Sequence, residues 1–168
     1  VIGMRLAALA GVALLAIFVP RLAARPAGSV IQSLLVRTTG IPESTLAERI
    51  GEIENEITPL TLAYLPGWEG VDLRLTAWGL PREEAERRLG QATDLLRARA
   101  GEHAYGENAC DLAALVLERA QLAGVRLALA ESCTGGLVGT RLTEVPGSSE
   151  VFVGGVIAYD NRVKVEQL

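Results

Sequence analysis

The sequence predicts an α+β small middle domain followed by an incomplete α/β layered domain. Three observations predict it. Residues 29–101 read strand, helix, hairpin, helix, the order of a small sheet with helices packed on it. From Asp111 onward, helix and strand patterns alternate, which points to parallel strands joined through helices. Between the two lies Gly101 to Asn108, polar in composition, where the boundary is placed, giving domains at 29–105 and 106–168. The second domain is only begun, because two predicted strands do not make a stable sheet.

Residues 1–28 come first and read as an apolar helix. Leu6 to Val19 is an apolar run interrupted by Gly11 and ended by Pro20. A helix of that length spans about 21 Å, short of the roughly 30 Å hydrocarbon core. Three readings compete: a buried helix left from a preceding domain, a signal peptide suggested by Met4-Arg5 ahead of the run, and a membrane anchor. The first is favoured. Arg25-Pro26-Ala27-Gly28 is a linker signal.

Val30 to Val36, rich in β-branched and aliphatic residues, reads as a strand, broken by Thr38-Thr39-Gly40-Ile41-Pro42. Thr45 with Glu48 fits a capping box, so a helix is expected from there to about Glu54. Its apolar positions Leu46, Ile50 and Ile53 share one face. Strands follow near Leu60–Leu65 and Val71–Trp78, joined by a hairpin loop at Pro66-Gly67-Trp68-Glu69-Gly70. In the second, Val71, Leu73, Leu75 and Ala77 alternate with Asp72, Arg74 and Thr76, so the apolar set faces the core. Pro81 is expected in the first turn of a helix over Arg82 to Ala100, which Gly101 terminates. The predicted core of this segment is Val71, Leu73, Leu75, Leu89 and Leu96.

Beyond the boundary, Asp111 to Ala123 reads as a helix closed by Gly124, Val125 to Ala130 as a buried strand, and Thr134 to Thr143 as a helix. Val151 to Tyr159 reads as a second strand, and Arg162 begins another helix.

Composition narrows the chemistry. The chain has 168 residues, 49% of them hydrophobic, which is enough to bury a core. A net charge of −4 demotes a direct nucleic-acid binder, which needs basic surplus to neutralise phosphates. Two cysteines, Cys110 and Cys133, make no disulfide framework and fit a reducing compartment. With one histidine, His103, little is left for a zinc site. The arginines of residues 82–99 interleave with Glu83, Glu84, Glu86 and Asp94, as on a solvated helix face.

The stretch that could carry chemistry is Ala130-Glu131-Ser132-Cys133-Thr134-Gly135-Gly136, between a predicted strand and a predicted helix. Such a turn concentrates backbone N–H groups, and the glycines let a ligand approach closely. Ser132 stands where a nucleophile or a phosphate contact would stand; a plain serine cap is the bland alternative. A serine nucleophile needs a base, and with no histidine near, lysine or tyrosine must serve. Lys164 is the single lysine of the chain, just after Gly154-Gly155-Val156-Ile157-Ala158-Tyr159-Asp160-Asn161. If the two strands are parallel neighbours, the end of the second lies beside Ser132, at the carboxyl edge where open α/β sheets bind ligands. Taken alone, Lys164 reads as an exposed helix residue.

Glu131 to Gly136, then Leu142-Thr143-Glu144-Val145-Pro146-Gly147-Ser148-Ser149, then Gly154 to Asn161 with Lys164, resemble in order and spacing the start of the CinA carboxy-terminal domain, a nicotinamide-nucleotide amidase fold. Arg37-Thr38-Thr39-Gly40-Ile41-Pro42-Glu43-Ser44 and Val71 to Ala77 resemble the KH-like middle domain of CinA proteins. Residues 1–28 are then expected to end a preceding molybdopterin-binding-like domain.

The resemblance implies hydrolysis of the carboxamide of nicotinamide mononucleotide to nicotinate mononucleotide and ammonia, with no metal and no cofactor. It implies Ser132 as nucleophile, activated by Tyr159 and Lys164. Thr134, Gly135, Gly136 and Asn161 would contact the nucleotide, and backbone N–H groups at Thr134 to Gly136 the oxyanion. Cys133 is the runner-up nucleophile, expected instead to be a small buried packing residue. A cytoplasmic homo-oligomer is expected, with no nucleic acid or membrane partner. About half of the amidase domain is expected to be absent, leaving this stretch alone inactive. The alternative is a non-catalytic competence- or damage-associated binding or dimerisation module. Gly67-Trp68-Glu69-Gly70 matches a KH loop literally, but it joins strands and carries no base, so a hairpin is the reading.

Overall fold

The computed structural model describes residues 29–168; the apolar helix expected at 1–28 lies outside the described residues. The chain divides into two compact units, with the division after Ala104.

In the first unit, β1 (Ser29–Thr38) and β2 (Thr61–Pro66) flank β3 (Val71–Pro81), both antiparallel to it. Leu34, Leu75 and Leu62 form one cross-strand row, and Val36, Leu73 and Tyr64 the next. The alternation read from β3 holds, since Val71, Leu73, Leu75 and Ala77 are all buried. Helix α1 (Glu43–Ile50), the short α2 (Glu54–Ile57) and the long α3 (Arg82–Ala100) cover that face. Along α3 the buried positions Ala85, Leu89, Ala92, Leu96 and Ala100 recur at helical spacing, and the predicted core residues are all within this cluster.

Several boundaries differ from the sequence-based expectation. Pro42, extended at ψ 148°, is the N-cap of α1, so Thr45 and Glu48 lie inside the helix and form no capping box. Proline presets the φ of a helix start and takes that role three residues before the threonine. Gly51, at φ 64°, ends α1 before Ile53, which caps α2 and is still fully buried. Pro81 is the last residue of β3 and the N-cap of α3, outside the helix proper.

The polar stretch at 101–108 holds a 3-10 turn (Gly101–His103) and a short strand, β4 (Ala104–Glu107), giving the sheet order β2-β3-β1-β4. Four residues without alternation leave no period to read.

The Arg37-Thr38-Thr39-Gly40 stretch latches the β2–β3 hairpin. Arg37 pairs with Asp72 at 2.7 Å and Glu69 at 3.2 Å, and the buried Thr38 hydroxyl donates to the Val71 carbonyl at 2.6 Å. The chains approach so closely that a Cβ on Gly70 would overlap the Thr38 carbonyl oxygen. The Gly67 N–H donates to the Gly70 carbonyl, so Gly67 to Gly70 is the hairpin turn expected, with Trp68 at its exposed tip.

The second unit contains α4 (Leu112–Leu122), β5 (Leu127–Glu131), α5 (Leu137–Thr143), a 3-10 turn (Ser148–Glu150), β6 (Phe152–Ile157) and α6 (Asn161–Gln167). Asp111 caps α4 by accepting the Ala114 N–H at 3.0 Å. β5 and β6 are parallel neighbours, as the alternation predicted. Ala113, Leu117, Ala120, Leu142 and Val151 form the buried cluster, joined by Leu127, Leu129 and Phe152 from the strands. Ala128 and Ala130, which alternate with the packed leucines, are exposed. The layer therefore has one covered face among the described residues. β5 starts two residues later than expected, leaving Val125 half exposed. α5 starts at Leu137, three residues later than expected, because Gly135 and Gly136 adopt positive φ of 60° and 98°.

Candidate active site at the carboxyl edge of the parallel pair

Parallel pairing brings two chain turns to one edge. Glu131 is opposite Ile157 in the register, and its carbonyl accepts the Ala158 N–H at 2.7 Å. Ser132 follows Glu131, and Tyr159 follows the buried Ala158, so both leave the same edge from adjacent strands. Asp160 then caps α6, accepting the Arg162 N–H at 2.8 Å. Asn161 is the first residue of α6, and the Lys164 N–H donates to the Asp160 carbonyl, which sets Lys164 one turn along. Ser132 and Lys164 are half-buried, while Tyr159 and Asn161 are exposed.

The turn between β5 and α5 is organised by a residue outside the predicted site, Glu131. Glu131 is buried, and its carboxylate accepts the N–H groups of Gly136 at 3.0 Å, Val138 at 3.1 Å and Gly139 at 2.7 Å. Burial pushes this carboxyl up, but the three backbone donors together with the Thr134 hydroxyl outweigh it and hold the group below its ordinary value. The signal was available as an acidic residue directly before a helix-opening turn, where its charge meets the positive end of the helix dipole.

This carboxylate changes the role of the turn's donors. The Gly136 N–H is committed to Glu131, and the Gly135 N–H to the Ser132 carbonyl at 3.1 Å. The Thr134 hydroxyl is also engaged by Glu131. Cys133 is exposed on the turn, which corrects the expectation of a small buried packing residue. A cavity of about 220 Å³ lies between α5 and β6, lined by Glu131, Gly136, Gly139, Phe152, Gly155 and Ile157 among others. Of the residues proposed for chemistry or substrate contact, only Gly136 lines it.

Arg141 of α5 reaches Asp111 at 2.9 Å and ties α5 to the start of α4. Hydrogen bonding from that guanidinium, with the Ala114 N–H, lowers the Asp111 carboxyl. Among the described residues no group of three or more His, Cys, Asp or Glu converges as metal ligands would, and no helix is long and apolar enough to cross a membrane.

A family model described as the CinA C-terminal domain matches residues 109–168, and one described as the damage-inducible protein CinA KH domain matches residues 33–106. The chain belongs to the CinA family. A CinA-like protein of Gemmatimonas aurantiaca is 52% identical over 141 residues, covering 84% of this chain and 33% of that protein. A CinA-like protein of Parasynechococcus marenigrum is 46% identical over 142 residues, covering 84% and 34%. One of Dictyoglomus turgidum is 39% identical over 140 residues, covering 83% and 34%. The chain thus spans about a third of the length of the curated CinA relatives it matches. The two CinA family matches meet between residues 106 and 109, close to the division between the compact units.

Proposed function

We propose that, within a full-length CinA protein, this chain supplies the nucleophile and base of an amidohydrolase that converts nicotinamide mononucleotide to nicotinate mononucleotide and ammonia. The observation that carries the reading is the parallel register. Ser132 and Tyr159 leave neighbouring strands at one edge, and Lys164 follows one helical turn into α6.

The chemistry follows from those residue types. Neutral Lys164 takes the Ser132 proton, directly or through Tyr159, as the serine oxygen attacks the carboxamide carbon. A carbon–oxygen bond forms and the carbonyl pair moves onto oxygen. Collapse of that oxyanion breaks the carbon–nitrogen bond, and the amine leaves as ammonia with the proton from Lys164. Water then attacks the acyl-serine with Lys164 again as base, releasing nicotinate mononucleotide and restoring Ser132. Thr134, Gly135 and Gly136 in the turn after β5, and Asn161 at the start of α6, are the residues assigned to contact the nucleotide in this reading.

The test is ammonia release from nicotinamide mononucleotide by the full-length protein. Wild type should release it and Ser132→Ala should not. Equal release by both would overturn the reading. Release by neither would favour a non-catalytic module.

A further inference from the structure

We infer that Glu131 is a positioning residue for Ser132, and that the N–H groups of Cys133 and Thr134, rather than those of Gly135 and Gly136, are the donors left to meet an oxyanion. The inference rests on the proposed amidohydrolase reading and adds to it a residue outside the serine, tyrosine and lysine.

Three observations carry it. The Glu131 main chain and side chain act at opposite ends of one junction. Its carbonyl holds Ala158 at the end of β6, and its carboxylate holds Gly136, Val138 and Gly139 at the start of α5. Ser132 therefore sits between two fixed points belonging to a single neighbour. Second, the accounting of turn donors is complete. Gly135 is spent on the Ser132 carbonyl, Leu137 on the Thr134 carbonyl, and the next helical donors on Glu131. Among the described residues, Cys133 and Thr134 have no acceptor for their N–H groups, and both are exposed. Preorganised donors that are not otherwise paired are what a developing oxyanion needs. Third, the space is fitted to the carboxylate. A Cβ at position 139 would stand 3.2 Å from the Glu131 Oε1, tighter than an ordinary contact.

A glutamine at 131 would keep one acceptor oxygen but turn an N–H₂ group toward backbone donors. The turn would then lose one of its two anchors, and of the proposed nucleotide contacts Gly136 and Thr134 touch Glu131 while Asn161 and Gly135 do not. The effect should fall on the chemical step more than on binding.

The experiment compares Glu131→Gln with wild type in the full-length protein, measuring kcat and KM for nicotinamide mononucleotide together with Tm. The expected result is a fall in kcat of about tenfold to a hundredfold, on the scale of a weakened oxyanion site, with KM changed by a smaller factor than kcat. An unchanged kcat, or a rise in KM alone, would overturn the inference while Ser132→Ala still reports on the amidohydrolase reading. An inactive wild type would overturn both. Should Glu131→Gln fail to fold, Gly139→Ala presses on the same carboxylate from a helical position that favours alanine. It should lower kcat severalfold without lowering Tm. Wild-type kcat in Gly139→Ala would then count against the inference.

Discussion

The Glu131 carbonyl accepts the Ala158 N–H at 2.7 Å, and this one bond sets the relation between the two halves of the candidate site. It closes the parallel ladder one residue before Ser132 on one strand and one residue before Tyr159 on the other. A strand slip of one residue would turn every alternating side chain to the opposite face.

Ser132→Ala and Lys164→Ala are each expected to lower ammonia release from nicotinamide mononucleotide by roughly three orders of magnitude or more, with the double variant little worse, since the two act as one unit. Steady-state kinetics on the full-length protein check this. Cys133→Ala should keep most activity; a dead Cys133→Ala with an active Ser132→Ala would make the exposed thiol the nucleophile.

Leu73→Asp should cost about 3–5 kcal/mol, because it buries an unpaired charge in the core beneath β3. Urea unfolding measures the change in midpoint. An unchanged midpoint would place Leu73 on the solvent side, against the observed strand phase.

Gly70→Ala should destabilise the first unit by roughly 2–4 kcal/mol through forced separation of the hairpin from β1. The added carbon would overlap the Thr38 carbonyl, and the backbone at position 70 has φ +151°. Urea unfolding again reads the cost. Gly79→Ala, where no atom stands within 4 Å but φ is also positive, separates crowding from backbone strain.

The second unit should lose stability in acid. Glu131 and Asp111 are both held below their ordinary values when folded, so each stabilises the fold above its unfolded value and ceases to do so as pH falls through the folded value. The loss should therefore begin below about pH 4.5, the ordinary value for Glu131, and deepen as the pH falls further. Amide proton shifts of Gly136, Val138 and Gly139 followed by NMR should titrate together with the Glu131 carboxylate. Titration of these amides at or above the ordinary glutamate value would contradict the assigned hydrogen bonds.

Where a local rule with a clear period applied, sequence and structure agree. The two-residue alternation of β3 identified Val71, Leu73, Leu75 and Ala77 as core, and α3 spans Arg82–Ala100 up to Gly101 as read. The helix–strand alternation after residue 108 implied the parallel pairing that brings the Ser132 and Tyr159 turns to one edge. Local rules failed where two of them competed. At the start of α1 the proline signal at Pro42 overrode the Thr45 capping box, and at the start of α5 the positive φ of Gly135 and Gly136 delayed the helix past Thr134.

The sequence by itself determined the two-part organisation, the core face of the antiparallel sheet, and the residue types able to act as nucleophile and base, because hydrophobic period and side-chain chemistry are local properties. Only the tertiary structure decided which backbone donors are free. Whether the Gly136 N–H can meet a ligand depends on where the Glu131 carboxylate ends up. The latch from Arg37 to Glu69 and Asp72 is likewise decided in space, by pairing between distant segments. Hydrogen-bond satisfaction is a contest among all groups within reach in space, and that reach is set by packing rather than by neighbourhood along the chain.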